Sequence, residues 1–315
     1  MAELAVLKLP HVGVAKERRL PFMIEVLVRL VREKPLGLVG GLIVLMFLAM
    51  AVAAPLIAPY GAGQLGAGRP LAGPSAAHLF GTDNLGRDVL SRVIHGAQVS
   101  MTIGFLSIAL STLIALTIGV LTGYFGGLLD ILFQRVVDAF MAFPALVFLI
   151  AVGAIFTDAN IPGLPAQGLF STKVVALVIE LGILFGVGNS RVIRSATLSV
   201  RSSMYIESAR ATGATHTRLI FRHVLPNVLP PTITLATLGL GGIILTESAL
   251  SFLGLSVPPD QVTWGKMLNT EARSHMLEAP WLAIFPGLAL SMAVFGFNML
   301  GDALRDLLDP RLRTG

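Results

Sequence analysis

Cysteine is absent from the chain. Disulfides, thiolate nucleophiles and cysteine-ligated metals are therefore excluded. Charge is scarce as well: 13% of residues are charged, against roughly 25% in soluble domains. A soluble chain of 315 residues needs a charged shell, and the material for one is missing. No pair of histidines has H-x3-H ligand spacing, and no serine has an adjacent His and Asp in a nucleophile-like setting. Hydrophobic residues are abundant instead, at 54%, with a mean hydropathy of +0.80. A net charge of +5 raises nucleic acid as a partner. The basic residues sit in blocks between apolar runs, which argues against it.

A membrane-spanning helix needs ~20 mainly apolar residues. Six segments qualify, at about 37–57, 101–121, 136–155, 174–188, 231–252 and 282–300. The expected fold is an all-α membrane protein with six transmembrane helices. The first apolar run follows a polar stretch longer than a normal n-region, so a signal anchor is expected. The alanines at 51–54 faintly resemble a cleavage site. If the helices alternate, 17 of the Lys and Arg residues fall on one side and 6 on the other. The positive-inside rule assigns the richer side, with both termini, to the cytoplasm.

The external segments read as loops. The stretch 61–74 is rich in Gly, Pro and Ala, 159–167 holds Pro162 and Pro165, and Pro258-Pro259 stop a helix. Gly119 and Gly123, and Gly182 and Gly186, are four apart, while Gly239, Gly241 and Gly242 cluster. Small residues let helices approach closely in lipid, so these mark candidate contacts. Trp264 and Trp281 read most simply as interface anchors.

The connection over 191–227 is too long and too ordered in pattern for a passive link. Helix is favoured over 195–211, interrupted at Thr212-Gly213, where Gly213 suits a left-handed C′ position. Thr215 can cap a second short helix through about Leu225. Pro226, Pro230 and Pro231 then mark re-entry into the membrane. A protruding helix–turn–helix with Glu207, Arg210, Arg218 and Arg222 on a mixed face could dock in a partner's groove. The arginines could equally reflect topology alone.

Here the sequence resembles a known family. Glu207-Ser208-Ala209, three residues, Gly213, nine residues, then His223-Val224-Leu225-Pro226 is similar to the EAA loop of bacterial ABC importer permeases, E-A-A-x3-G-x9-I-x-L-P. Ser208 stands for the second-position Ala and His223 for the Ile. Phe80-Gly81-Thr82-Asp83 and Gly86-Arg87-Asp88 resemble the segment before the second helix in C-type permeases of dipeptide and oligopeptide importers. Gly123-Tyr124-Phe125-Gly126-Gly127 with Asp130, Arg135 and Asp138 matches the next turn, and Ser248 to Gly254 with Trp264-Gly265 a later one. Phe297-Asn298, Gly301-Asp302 and Asp309-Pro310-Arg311-Leu312 match the closing signature. Gln98 stands where Arg is expected, and no Trp lies near Gly186.

The resemblance implies a type I ABC importer permease core with an extra N-terminal helix. The implied organisation is a cytoplasmic segment 1–36, an N-terminal helix and external segment 37–97, a core 98–301 and a cytoplasmic tail 302–315. It implies a second permease subunit (a heterodimer), two cytoplasmic ATPase subunits, and a periplasmic or lipid-anchored solute-binding protein, with this chain itself a multi-pass protein of the bacterial inner (plasma) membrane. Glu207, Ser208, Ala209, Arg210, Gly213, Arg218, Leu225 and Pro226 would form the ATPase-coupling loop. No G-x-x-x-x-G-K-[ST] phosphate loop is present, since Gly265-Lys266 is followed by Met267. ATP and Mg would be used by the partner ATPases, with no cofactor bound by this chain.

Glu180 and Glu247 lie in apolar spans, where a carboxylate is costly. Each is a candidate pathway residue, or a hydrogen-bonded group at a helix contact. Asp83, Arg87 and Asp88 could fix the external segment or touch the binding protein. An ion-gradient-driven secondary transporter is the alternative class, with these two glutamates as its coupling groups. Nickel or glutathione are alternative cargoes for the same permease.

Overall fold

Five helices in the computed structural model are long and apolar enough to cross a membrane. The structure describes residues 22–156 and 163–308. The expectations for Lys8, Lys16, Arg18, Arg19, Pro162, Arg313 and the Asp309–Leu312 signature lie outside the described residues. A short helix α1 (Phe22–Glu33) precedes α2 (Pro35–Ile57), whose Pro35 occupies the first turn, where its missing N–H costs nothing. Next come α3 (Val89–Phe125), α4 (Gly127–Met141), α5 (Ala145–Phe156) and α6 (Thr172–Arg201). Two short helices follow, α7 (Met204–Ala211) and α8 (His216–Leu219), and then α9 (Leu225–Phe252). Short α10 (Trp264–Met267) and α11 (Arg273–His275) lead to α12 (Trp281–Leu308). Among the described residues the one β contact is an isolated bridge between Thr82 and Asp88.

The expected third span is broken. Its two halves, α4 and α5, meet at 88°. Pro144 sits at the break; it lacks an N–H and disfavours helix at Phe143 before it. The apolar character carries across the bend, so hydropathy alone does not reveal it.

Glycines set the central packing of α3 on α6. A methyl placed on Gly119 would lie 2.7 Å from Ile193 Cβ, and one on Gly123 2.7 Å from Thr197 Cβ. From the other side, Gly182 faces Leu110 and Gly186 faces Ile114 at 2.7 and 2.8 Å. The two pairs four apart thus interlock reciprocally, as close packing in lipid requires.

The segment between α2 and α3 folds back as a cap on the bundle. Asp83 is 1% exposed and organises it. Its Oδ1 accepts from the N–H groups of Leu85 (2.8 Å) and Arg87 (2.9 Å), and Arg87 Nε donates to Oδ2 at 2.6 Å. Asp88 caps α3 through Ser91 N at 2.8 Å and pairs with His78 Nδ1 at 2.9 Å. These residues hold the segment's shape, the first of the two readings of the sequence.

Trp264 is not a lipid anchor. Trp264 is fully buried, packs edge-on against Phe47 at 5.2 Å and donates Nε1–H to Val93 O at 3.0 Å. Trp281 is half-buried and donates to Thr82 O at 3.1 Å. Each indole spends its one donor on a backbone carbonyl, of α3 for Trp264 and of the cap for Trp281.

Candidate functional site

The basic blocks come together at one end of the bundle. Lys34 Nζ meets Asp306 Oδ2 at 2.5 Å, joining the start of α2 to the end of α12. Arg194 grips Asp130 through two 2.6 Å hydrogen bonds, tying α6 to α4. Arg191, one turn earlier on α6, pairs with Asp138 about two turns further along α4. Tyr124 Oη lies 2.8 Å from His216 Nδ1, joining the end of α3 to α8.

From this end projects the elbow α7–α8. Helix α6 stops at Arg201, and α7 starts only at Met204, so the helix expected over 195–211 is divided at Ser202-Ser203. Ser203 Oγ turns back to Val200 O at 2.5 Å, the local competition with the helix that serines favour. Helix α7 ends as its sequence predicts. Gly213 N–H donates to Arg210 O and Ala214 N–H to Ala209 O, both at 3.0 Å. This is a Schellman closure, with Gly213 at φ 86°. Ala209 and Ala214, which such a closure brings together, both pack on one cluster with Ile206, Leu219, Val224 and Val228. Thr215 caps α8 through Arg218 N at 3.4 Å.

The second arm does not end at Leu225. After α8, residues Ile220–Val224 form a π-helical turn, in which Leu225 N–H donates to Ile220 O. Helix α9 follows without a break. Pro226 cannot donate to a carbonyl four back, and the wider turn just before it absorbs the mismatch. The expected membrane re-entry at Pro226, Pro230 and Pro231 is thus one continuous helical path from His216 to Phe252.

One face of the elbow is buried and the other is free. Ile206 and Leu219 are 0% exposed. Glu207, Ser208, Arg210, Gly213, Arg218, Arg222 and Pro226 are exposed, and Leu225 is intermediate. Ser208 Oγ bonds back to Met204 O at 2.9 Å, so the Ser-for-Ala exchange adds no outward donor. Sequence reasoning missed three apolar residues on this face: Met204, Tyr205 and Phe221, at 83, 46 and 66% exposure. The available signal was their apolar character within an otherwise charged connection.

The two intramembrane carboxylates lie near the opposite end, in different settings. Glu247 is fully enclosed. Its Oε1 accepts from Ser251 (2.6 Å) and Ser256 (3.3 Å), its Oε2 from Ser100 (3.3 Å) and Ser248 (3.4 Å). Thr263 Oγ1 donates to Ser251 Oγ at 2.9 Å and closes the ring. Glu180 is 5% exposed and borders a small chamber with Gly153, Lys173 and Ser256.

A bundle of membrane-spanning helices with a buttressed helix–turn–helix elbow is the architecture that the resemblance to ABC importer permeases implies. Comparison with known proteins carries this further. The family model described as binding-protein-dependent transport system inner membrane component matches residues 115–314. That described as the N-terminal TM domain of oligopeptide transport permease C matches residues 24–74. The chain belongs to the family of binding-protein-dependent transport system inner membrane components, and is a multi-pass inner-membrane permease.

Among curated relatives, it is 38% identical to the dipeptide transport system permease protein DppC of Alkalihalophilus pseudofirmus, over 90% of this chain and 88% of that one. It is 39% identical to the glutathione transport system permease protein GsiD of Pectobacterium atrosepticum, over 87% of each. A structure of the inward-facing MetNI methionine ABC transporter shares the fold, with TM-score 0.54 and 19% identity over 70% of this chain and 98% of that one. These findings favour binding-protein-dependent transport over the ion-gradient alternative.

Proposed function

We propose that this chain forms half of the translocation pathway of an ATP-driven importer for dipeptides or short oligopeptides. The observation that carries the coupling role is the two-faced elbow. Its inner face is locked to α3, α6 and α9 through Ile206, Leu219 and Val224, while Glu207, Arg210, Met204 and Phe221 stand free. A rigid, amphipathic projection of this kind can carry motion from a docked partner into the bundle. The partner in this reading is a cytoplasmic ATPase, one of two, which binds ATP and Mg. A second permease subunit completes the pathway, and a solute-binding protein delivers cargo on the other side. The elbow and both termini then face the cytoplasm, in line with the basic blocks gathered at that end. The organisation into 1–36, 37–97, 98–301 and 302–315 belongs to the same reading.

Peptide cargo is supported by the relatives named for dipeptide and glutathione transport, glutathione being itself a tripeptide. The test is reconstitution of the chain with its co-encoded subunits in proteoliposomes. ATP-dependent, vanadate-sensitive uptake of a labelled dipeptide is expected, with glutathione as competitor. A thiol crosslink from Glu207→Cys to the ATPase should form. Uptake that follows an ion gradient without ATP would overturn the proposal.

A further inference from the structure

Glu180 lies eight residues into α6, about 12 Å along the helix from Thr172. Its side chain is almost wholly removed from solvent, yet among the described residues it makes no hydrogen bond or ion pair. Glu247, a few residues' reach away, is enclosed by four hydroxyls. A buried carboxylate is ordinarily paired or hydrogen-bonded. Glu180 instead faces a chamber of about 80 Å³ between α5, α6 and the turn after α9.

The wall of that chamber offers acceptors. A methyl built on Gly153 would lie 3.7 Å from Glu180 Oε2 and 3.9 Å from Leu255 O, so Gly153 leaves open the space between a carboxylate and a carbonyl. Ser256 borders the same space, with its hydroxyl hydrogen directed at Glu247 Oε1. That leaves its lone pairs as acceptors. Lys173 stands two turns before Glu180 on the same side of α6, and no ion pair joins them. The chamber thus presents a carboxylate and further acceptors inside, with a cation along its wall.

We infer that the Glu180 chamber is a binding site for a primary ammonium group, and that it receives the α-ammonium of the transported peptide. An ammonium has three donors and no acceptor, which matches an acceptor-lined pocket of this size. It also supplies the charge that an isolated buried carboxylate lacks. Lys173 disfavours a bare cation and suits a solute whose ammonium is accompanied by a carboxylate. The ammonium class follows from the chamber alone; the peptide identity rests on the proposed function.

The lack of cysteine makes a direct test simple. Ala176, one turn before Glu180, lines the chamber and is buried. Ala176→Cys, in a complex with cysteine-free partner subunits, would be labelled by a small neutral thiol reagent through the chamber. Alanyl-alanine and alaninamide should slow labelling, about threefold at twice their dissociation constant. N-acetyl-alanyl-alanine should not. Glu180→Gln should abolish the protection, and so should Gly153→Val, which keeps the carboxylate and fills the space. Protection by alaninamide without protection by any free peptide would support the ammonium site and overturn the peptide reading. Equal protection by acetylated and free peptide, or protection that survives Glu180→Gln, would overturn the site itself.

Discussion

Arg194 and Asp130 form a two-pronged ion pair, with Nε to Oδ1 and Nη2 to Oδ2 both at 2.6 Å, across the junction of α6 and α4. Both side chains are partly screened, at 29 and 16% exposure. The pair is therefore worth about 1 kcal/mol, at the upper end for exposed pairs. Its greater effect is orientation, because a planar guanidinium fixes the angle as well as the distance. Arg194→Lys keeps the charge and loses the fork. It should lower uptake with little change in thermal stability, whereas Asp130→Arg combined with Arg194→Asp should recover part of the uptake. No recovery in the exchanged pair would show that the fork is not what matters.

Gly213 separates backbone from side-chain effects. A Cβ there meets nothing within 4 Å, so the sole obstacle is the positive φ. Gly213→Ala should cost about 1–2 kcal/mol locally, and Gly213→Asn less, since Asn tolerates that region. Uptake should rank Gly, Asn, Ala, with Gly213→Pro inactive but still inserted, as checked by membrane fractionation and transport.

Charge reversal at Glu207 probes the free face of the elbow. The side chain is exposed, so Glu207→Arg should leave the melting temperature unchanged and abolish transport. Co-purification of the ATPase with the permease is the direct readout. Full retention of both would remove Glu207 from the docking surface.

Glu247 is expected to act as a fastening between α3, α9 and the turn that follows. Glu247→Ala strands several buried hydroxyls at about 1–3 kcal/mol each. Loss of detergent stability without a change in cargo preference is the expected result. Glu247→Gln, which can still accept from Ser251, should be milder. A selective change in which peptide is carried would assign Glu247 to the pathway.

Local chemistry was the legible part. Five spans stand out by their long apolar runs, although the run at 174–188, about 22 Å at 1.5 Å per residue, is shorter than the hydrocarbon and the helix around it reaches further; the end of α7 stands out because Thr212-Gly213-Ala214 is a complete stop signal over three residues. What escaped depends on distant partners. Pro144 was visible, but its 88° consequence requires α4 to be held by Arg191 and Arg194. The burial of Trp264 requires the carbonyl of Val93, far away in sequence. Pro226 reads locally as a helix start, yet a π turn before it lets the helix run through. Glu180 and Glu247 look alike in sequence. Only the folded chain shows that one is surrounded by hydroxyls and the other is not.

The unbroken path from His216 to Phe252 has a geometric corollary. At 1.5 Å per residue it is a strut about 55 Å long, with the elbow at one tip and the Glu247 ring at the other. Helix α3 holds it at both tips, through the Val224 cluster beside the elbow and through Ser100 at Glu247. A push on the elbow would then displace the strut and α3 as one body, and reach the far side of the membrane with no relay of side chains between them.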